Sequence, residues 1–96
     1  MVKFKLNNMK LYKIKHIPTG LFYTPSRGSG NLSIKGKIYI DRIPSLDWCK
    51  TIRIQKWSSN TKLFKILTKY FDLPENGYVN EYFKTKQTDW EIIEVE

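Results

Sequence analysis

Apolar residues alternate with polar ones over much of this chain, and one stretch follows a helical period instead. In residues 10–17, Tyr12, Ile14 and His16 fall on one parity and Lys13 and Lys15 on the other, the pattern of a strand with one covered face. Pro18-Thr19-Gly20 is a turn signal, and residues 21–24 read as a returning strand, so residues 10–24 are expected to form a hairpin. Residues 32–40 resume the alternation, with Leu32, Ile34, Ile38 and Ile40 on one parity and Gly36 as a bulge or tight turn. Residues 50–57 predict a strand with Ile52 and Ile54 facing one way and Thr51, Arg53, Gln55 and Trp57 the other. Residues 78–83 and 90–95 predict two more.

The period changes in residues 61–71. Leu63, Phe64, Leu67, Tyr70 and Phe71 form an apolar stripe at helical spacing, with Lys62, Lys65 and Lys69 opposite. Ser59 or Asn60 is placed to cap the start, and Pro74 to end the helix. Ser45 is placed to cap a short helical turn over residues 45–48. Residues 25–31, Pro-Ser-Arg-Gly-Ser-Gly-Asn, are too rich in small residues to predict regular structure for long. The expected fold is α+β: a small antiparallel sheet of four to six strands with one amphipathic helix packed on it. At 96 residues the chain is expected to be a single domain. Residues 1–8 read as an N-terminal extension, and Met9 as an alternative start.

Charge changes the picture. Residues 1–70 carry 15 Lys/Arg against two acids, and residues 71–96 carry two Lys against seven acids. A basic body with an acidic end predicts a surface that meets a polyanion or a charge-reading partner. A structural reason is equally open at this level, since an acidic last strand can simply lie beside a basic one. Lone Cys49 precludes an internal disulfide, and neither a signal peptide nor a membrane-length apolar run is visible. These features predict a soluble protein of a reducing cytoplasm.

Catalytic chemistry is hard to assemble from this composition. His16 is the only histidine, expected to be structural or at the surface, and Cys49 the only cysteine, expected to be a buried or inert thiol. Two such ligands fall short of a zinc site, and the acids follow no calcium-loop spacing, so no metal or other cofactor is expected. Arg27-Gly28-Ser29-Gly30 could approach a phosphate through backbone N–H groups, but lacks the Gly-Lys-Ser/Thr and following helix of a nucleotide loop. The best binding signal is basic residues interleaved with aromatics. Its candidate contacts are Lys13, Lys15, Tyr23, Arg27, Lys35, Lys37, Tyr39 and Arg42.

Ile14-Lys15-His16-Ile17-Pro18-Thr19-Gly20-Leu21-Phe22-Tyr23, Pro25-Ser26, Asn31-Leu32-Ser33 and Lys35-Gly36-Lys37-Ile38-Tyr39, with an ending like Trp90-Glu91-Ile92-Ile93, resemble a pattern in short accessory proteins of tailed bacteriophages. The resemblance covers residues 11–44 and the end, and has no counterpart for residues 46–88. It implies a small protein made inside an infected bacterium and acting by binding. Two functions follow as expectations. One is an inhibitor or modulator of a host protein, such as a defence or nucleic-acid enzyme. The other is direct DNA or RNA binding through a basic, aromatic-bearing sheet face, where five phosphate contacts predict a log–log salt slope of roughly −3.5 to −4.5.

Overall fold

The computed structural model describes residues 9–26, 29–57 and 61–95. The expected extension at 1–8, the expected helix caps Ser59 and Asn60, and Arg27 and Gly28 lie outside the described residues.

The predicted hairpin is present. Strand β1 (Leu11–His16) pairs antiparallel with β2 (Phe22–Ser26), Lys15 opposite Phe22. The turn closes with the Gly20 N–H on the His16 carbonyl at 2.8 Å and the His16 N–H on the Leu21 carbonyl at 2.7 Å. The parity also holds: Ile14 and His16 are buried, while Lys13 and Lys15 lie on the other face.

Two stretches differ from expectation. Ser29, Gly30 and Asn31, read from composition as loop, belong to β3 (Ser29–Ser33), which runs back along β2 with Pro25 opposite Gly30 and Ser26 opposite Ser29. Gly30 is there because the Tyr23 ring occupies the space a β-carbon would need. The strand character expected over 32–40 is split into β3 and the two-residue β4 (Tyr39–Ile40), with Gly36 as the tight turn of its two expected roles. Gly36 divides them: its φ of +70° is left-handed, and its missing side chain leaves room for Phe22. The chain reverses there, and β4 pairs with the start of β1, Tyr12 opposite Tyr39.

Ser45 caps a 3₁₀ turn (Leu46–Cys49) as expected, accepting from the Asp47 N–H at 3.2 Å. Strand β5 (Thr51–Lys56) follows, with Ile52 and Ile54 inside. Helix α1 (Lys62–Phe71) is capped by Thr61, whose hydroxyl accepts from the Phe64 N–H at 3.4 Å, and ends on Asp72 in a left-handed conformation. Strand β6 (Val79–Lys84) returns antiparallel to β5, and β7 (Trp90–Val95) pairs along the whole of β1.

The sheet therefore runs β7-β1-β2-β3-β5-β6, with β4 sharing the β2 side of β1. All pairings are antiparallel except β3 with β5, where Gly30 meets Ile52. Laid flat, six strands would put β6 and β7 about 24 Å apart. The steps from Lys84 to Trp90 cover at most about 22 Å fully extended, and residues 87–89 are coiled into a 3₁₀ turn. The sheet must curl, and Trp90 closes the curl by donating from Nε1 to Thr85 Oγ1 at 2.9 Å. Thr85 in turn donates through its hydroxyl to the Cys49 carbonyl.

Helix α1 lies on the inner face. Leu67 enters the core beside Ile14, Leu32, Ile52 and Ile54, Phe71 meets Phe83 at 4.8 Å between ring centroids, and Tyr70 meets the edge of His16 at 5.4 Å. Among the described residues, one lysine is interior. Lys56, only 2% exposed, donates from Nζ to the Pro74 carbonyl at 3.0 Å, satisfying a cation that burial would otherwise penalise.

Candidate interaction surface

The fold disperses the predicted contacts. Tyr23 is a correction: it is 4% exposed, meets Trp90 edge-on at 5.8 Å, and donates its hydroxyl to the Trp48 carbonyl at 3.2 Å. It is core because β2's inward parity carries it, and burial foremost pushes its phenol pKa up. Tyr39 is half-buried, tilted against Trp48 at 5.8 Å. Its hydroxyl finds no hydrogen-bond partner among the described residues, and burial foremost, with Tyr23 and Cys49 nearby, pushes its pKa up to about 12. Neither ring is displayed for a partner to stack on. Arg27 lies outside the described residues.

The lysines of β1 stand on the outer face. Lys13 Nζ sits 4.9 Å from the centre of the Phe22 ring, a cation–π contact. Lys15 lies between Phe22 on one neighbouring strand and Glu91 on the other. The acidic last strand does lie beside the basic first one. Glu94 is opposite Tyr12, and its Oε1 is 3.9 Å from Lys10 Nζ. Charge that separates along the chain is thus brought together in space at this edge, which lowers the field a polyanion would meet there.

Lys35, Lys37 and Arg42 have a different setting. They lie in the segment between β3 and the 3₁₀ turn, and all three are exposed. Lys37 Nζ lies 5.2 Å from the centre of the Tyr39 ring. Interspersed with them are Ile34, Ile38, Ile40 and Ile43, exposed by 47%, 47%, 56% and 68%, and Trp48 follows at 53%. The sequence pattern placed the first three of these isoleucines on one strand face. Splitting that strand at Gly36 leaves them without a covering layer.

This segment is tied down at Gly36, Lys37 and Asp41. The Gly36 N–H donates to Ser33 Oγ at 2.8 Å and the Lys37 N–H to the Tyr23 carbonyl at 3.2 Å. The Asp41 N–H donates to the Lys10 carbonyl at 2.7 Å, and the Lys10 N–H returns to Asp41 Oδ1 at 3.0 Å. Ile38 and Ile40, between these bonds, are therefore held out by a fixed backbone. Such a patch, with cations among its apolar residues, has the composition of a protein-docking surface.

The two groups considered for chemistry are both interior. His16 is 1% exposed, shares the Thr19 hydroxyl through Nδ1 at 2.8 Å, and lies 4.8 Å from Trp90. Burial lowers its pKa, against a smaller opposing pull from Asp89. Cys49 is fully buried, and burial pushes its thiol up to about 12, far from the thiolate a nucleophile requires. Among the described residues, no group of three His, Cys, Asp or Glu side chains is placed to hold a metal ion, and no helix is long and apolar enough to cross a membrane. No protein-family model matches the chain, and no curated protein or solved structure is similar enough to count as a relative.

Proposed function

We propose that this chain is a small binding protein that docks onto a host protein through residues 34–48 and modulates it, without catalysing a reaction itself. The observation that carries this reading is the segment that exposes Ile34, Ile38, Ile40 and Ile43 among Lys35, Lys37 and Arg42. Isoleucines supply area to desolvate, and three cations against two acids, Asp41 and Asp47, in residues 34–48 favour a partner whose surface is apolar and mildly acidic. The resemblance to phage accessory proteins supplies the setting, an infected bacterium whose defence or nucleic-acid enzymes are the partner class.

Nucleic acid is less well supported as the ligand of this surface. Aliphatic side chains offer no face for base stacking, Tyr23 is buried, and Tyr39 is half-buried against Trp48. The test is affinity capture from a bacterial host, followed by titration of the recovered protein in purified form. One-to-one binding that is lost with Ile38→Asp together with Ile43→Asp, and weakened by Lys35→Glu with Lys37→Glu, is expected. Binding that survives both pairs of substitutions would overturn the assignment.

A further inference from the structure

The outer face of the β5–β6 ribbon carries a second surface, of different chemistry. Register places Arg53 opposite Tyr82 and Gln55 opposite Asn80, and continuing it places Trp57 beside Tyr78. All six share the parity that points away from the core residues Ile52, Ile54 and Val79. Trp57, Tyr78 and Tyr82 are 69%, 44% and 62% exposed. Three large aromatic rings displayed on two paired strands are costly to leave in water without a use.

Their neighbours hold them in place. Trp57 and Tyr78 lie 4.3 Å apart at 40° between planes, and Gln55 Nε2 donates to the Tyr78 hydroxyl at 2.6 Å. Arg53 stands 6.0 Å from the centre of the Tyr82 ring while its Nε donates to Asn80 Oδ1 at 2.8 Å. The result is an aromatic pair at one end, an aromatic–guanidinium pair at the other, and two amides between. Tyr78 and Tyr82 are about 13 Å apart along the strand. Arg53 and Lys84 are the charges on this face, and Glu81, opposite Ile54, falls on the other parity.

We propose that this face binds a short run of single-stranded nucleic acid. Bases would stack on Trp57 and on Tyr82, with the Gln55 and Asn80 amides meeting the base edge between them and Arg53 and Lys84 meeting phosphates. Flat rings with a sequence-tolerant stacking surface, alternating with amides and flanked by cations, suit unpaired bases and not a duplex, whose bases are already stacked. Two cations and no carboxylate on the face favour a polyanion over a neutral glycan. This site is separate from residues 34–48, so either assignment can fail without the other.

The test is fluorescence anisotropy of the whole chain with labelled dT12 and U12, a 12-base-pair duplex, and maltoheptaose as competitor, across a salt series. Single strands are expected to bind, with Trp57→Ala and Tyr82→Ala each weakening affinity about tenfold and Trp57→Phe retaining most of it. Two phosphate contacts predict a salt slope of about −1.4, well short of the slope for a five-phosphate basic face. Melting curves of the variants control for folding. No single-strand binding, displacement by the glycan, or binding unchanged by Trp57→Ala and Tyr82→Ala but lost with Lys35→Glu and Lys37→Glu would each overturn the proposal.

Discussion

At the closed end of the sheet, Trp90 and Tyr23 meet edge to face in the interior, each 4% exposed; on the β5–β6 ribbon, Trp57 and Tyr82 stand in solvent at 69% and 62%. The residue types are the same, and all four lie on strands or at a strand's end. Parity and closure separate them. Trp90 sits where the chain joins the two edges of a curled sheet, so its ring is enclosed and its N–H is bonded to Thr85. Trp57 follows a strand whose inward positions are filled by Ile52, Ile54 and Lys56, and is left outside. The charges differ in the same way. Lys10 and Lys15 face acids of β7, while Lys35, Lys37 and Arg42 lie out on an exposed segment. One region is built to hold the fold together, and the others leave large side chains in solvent.

The widest contrast is expected from the two tryptophans. Trp90→Ala should cost about 3–5 kcal/mol of stability, read as a large fall in Tm or loss of folding. Trp57→Ala should cost about 1 kcal/mol or less, the worth of an exposed aromatic pair. Equal losses would mean that the exposed ring is structural after all. Next in size is Gly30. Gly30→Val places a side chain where the Tyr23 ring lies, and overpacking of about 1–3 kcal/mol is expected, measured by urea unfolding; a neutral result would show that the ring has room to move.

Tyr39 reverses the sign. Its hydroxyl is buried without a partner among the described residues, so Tyr39→Phe should stabilise the chain by about 1 kcal/mol and remove a group whose pKa is pushed up to about 12. Destabilisation would reveal a partner for that oxygen. The smallest effect at neutral pH belongs to His16. Burial holds its folded pKa below the ordinary value of 6.5, so the unfolded chain takes up the proton first as pH falls. Stability is therefore fully present above 6.5 and declines as pH drops through it, until the folded imidazole is also protonated. His16→Phe should flatten the profile between pH 7.5 and 5; an unchanged slope would place the titration elsewhere.

Much of this was legible from local pattern. The first hairpin, the Ser45 cap and the helix stripe are set by residues within a few positions of each other, and parity alone put Arg53, Gln55 and Trp57 on one face of β5. What pattern could not supply is non-local. The parallel meeting of Gly30 with Ile52 joins residues 22 apart, and although Gly36 reads as a bulge or tight turn, the alternation in residues 32–40 does not show that the turn leaves Ile34, Ile38 and Ile40 uncovered. Ser29-Gly30-Asn31 reads as loop because its composition is small and polar, yet it is strand because Tyr23 needs a neighbour without a side chain. Parity puts Lys56 on the inward face with Ile52 and Ile54, but nothing local shows what satisfies it there, since the Pro74 carbonyl lies across the chain. The aromatic face of β5–β6 needs the register of two strands before Trp57 and Tyr78 become a pair.

The most direct test of the account is to compare three proteins in parallel capture from a bacterial host: the wild type, the Ile38→Asp/Ile43→Asp variant and Trp57→Ala. The same host protein recovered near one-to-one by the wild type and by Trp57→Ala under nuclease treatment, but not by the isoleucine variant, is the predicted result. No stoichiometric protein, or one retained equally by all three, would contradict docking through residues 34–48.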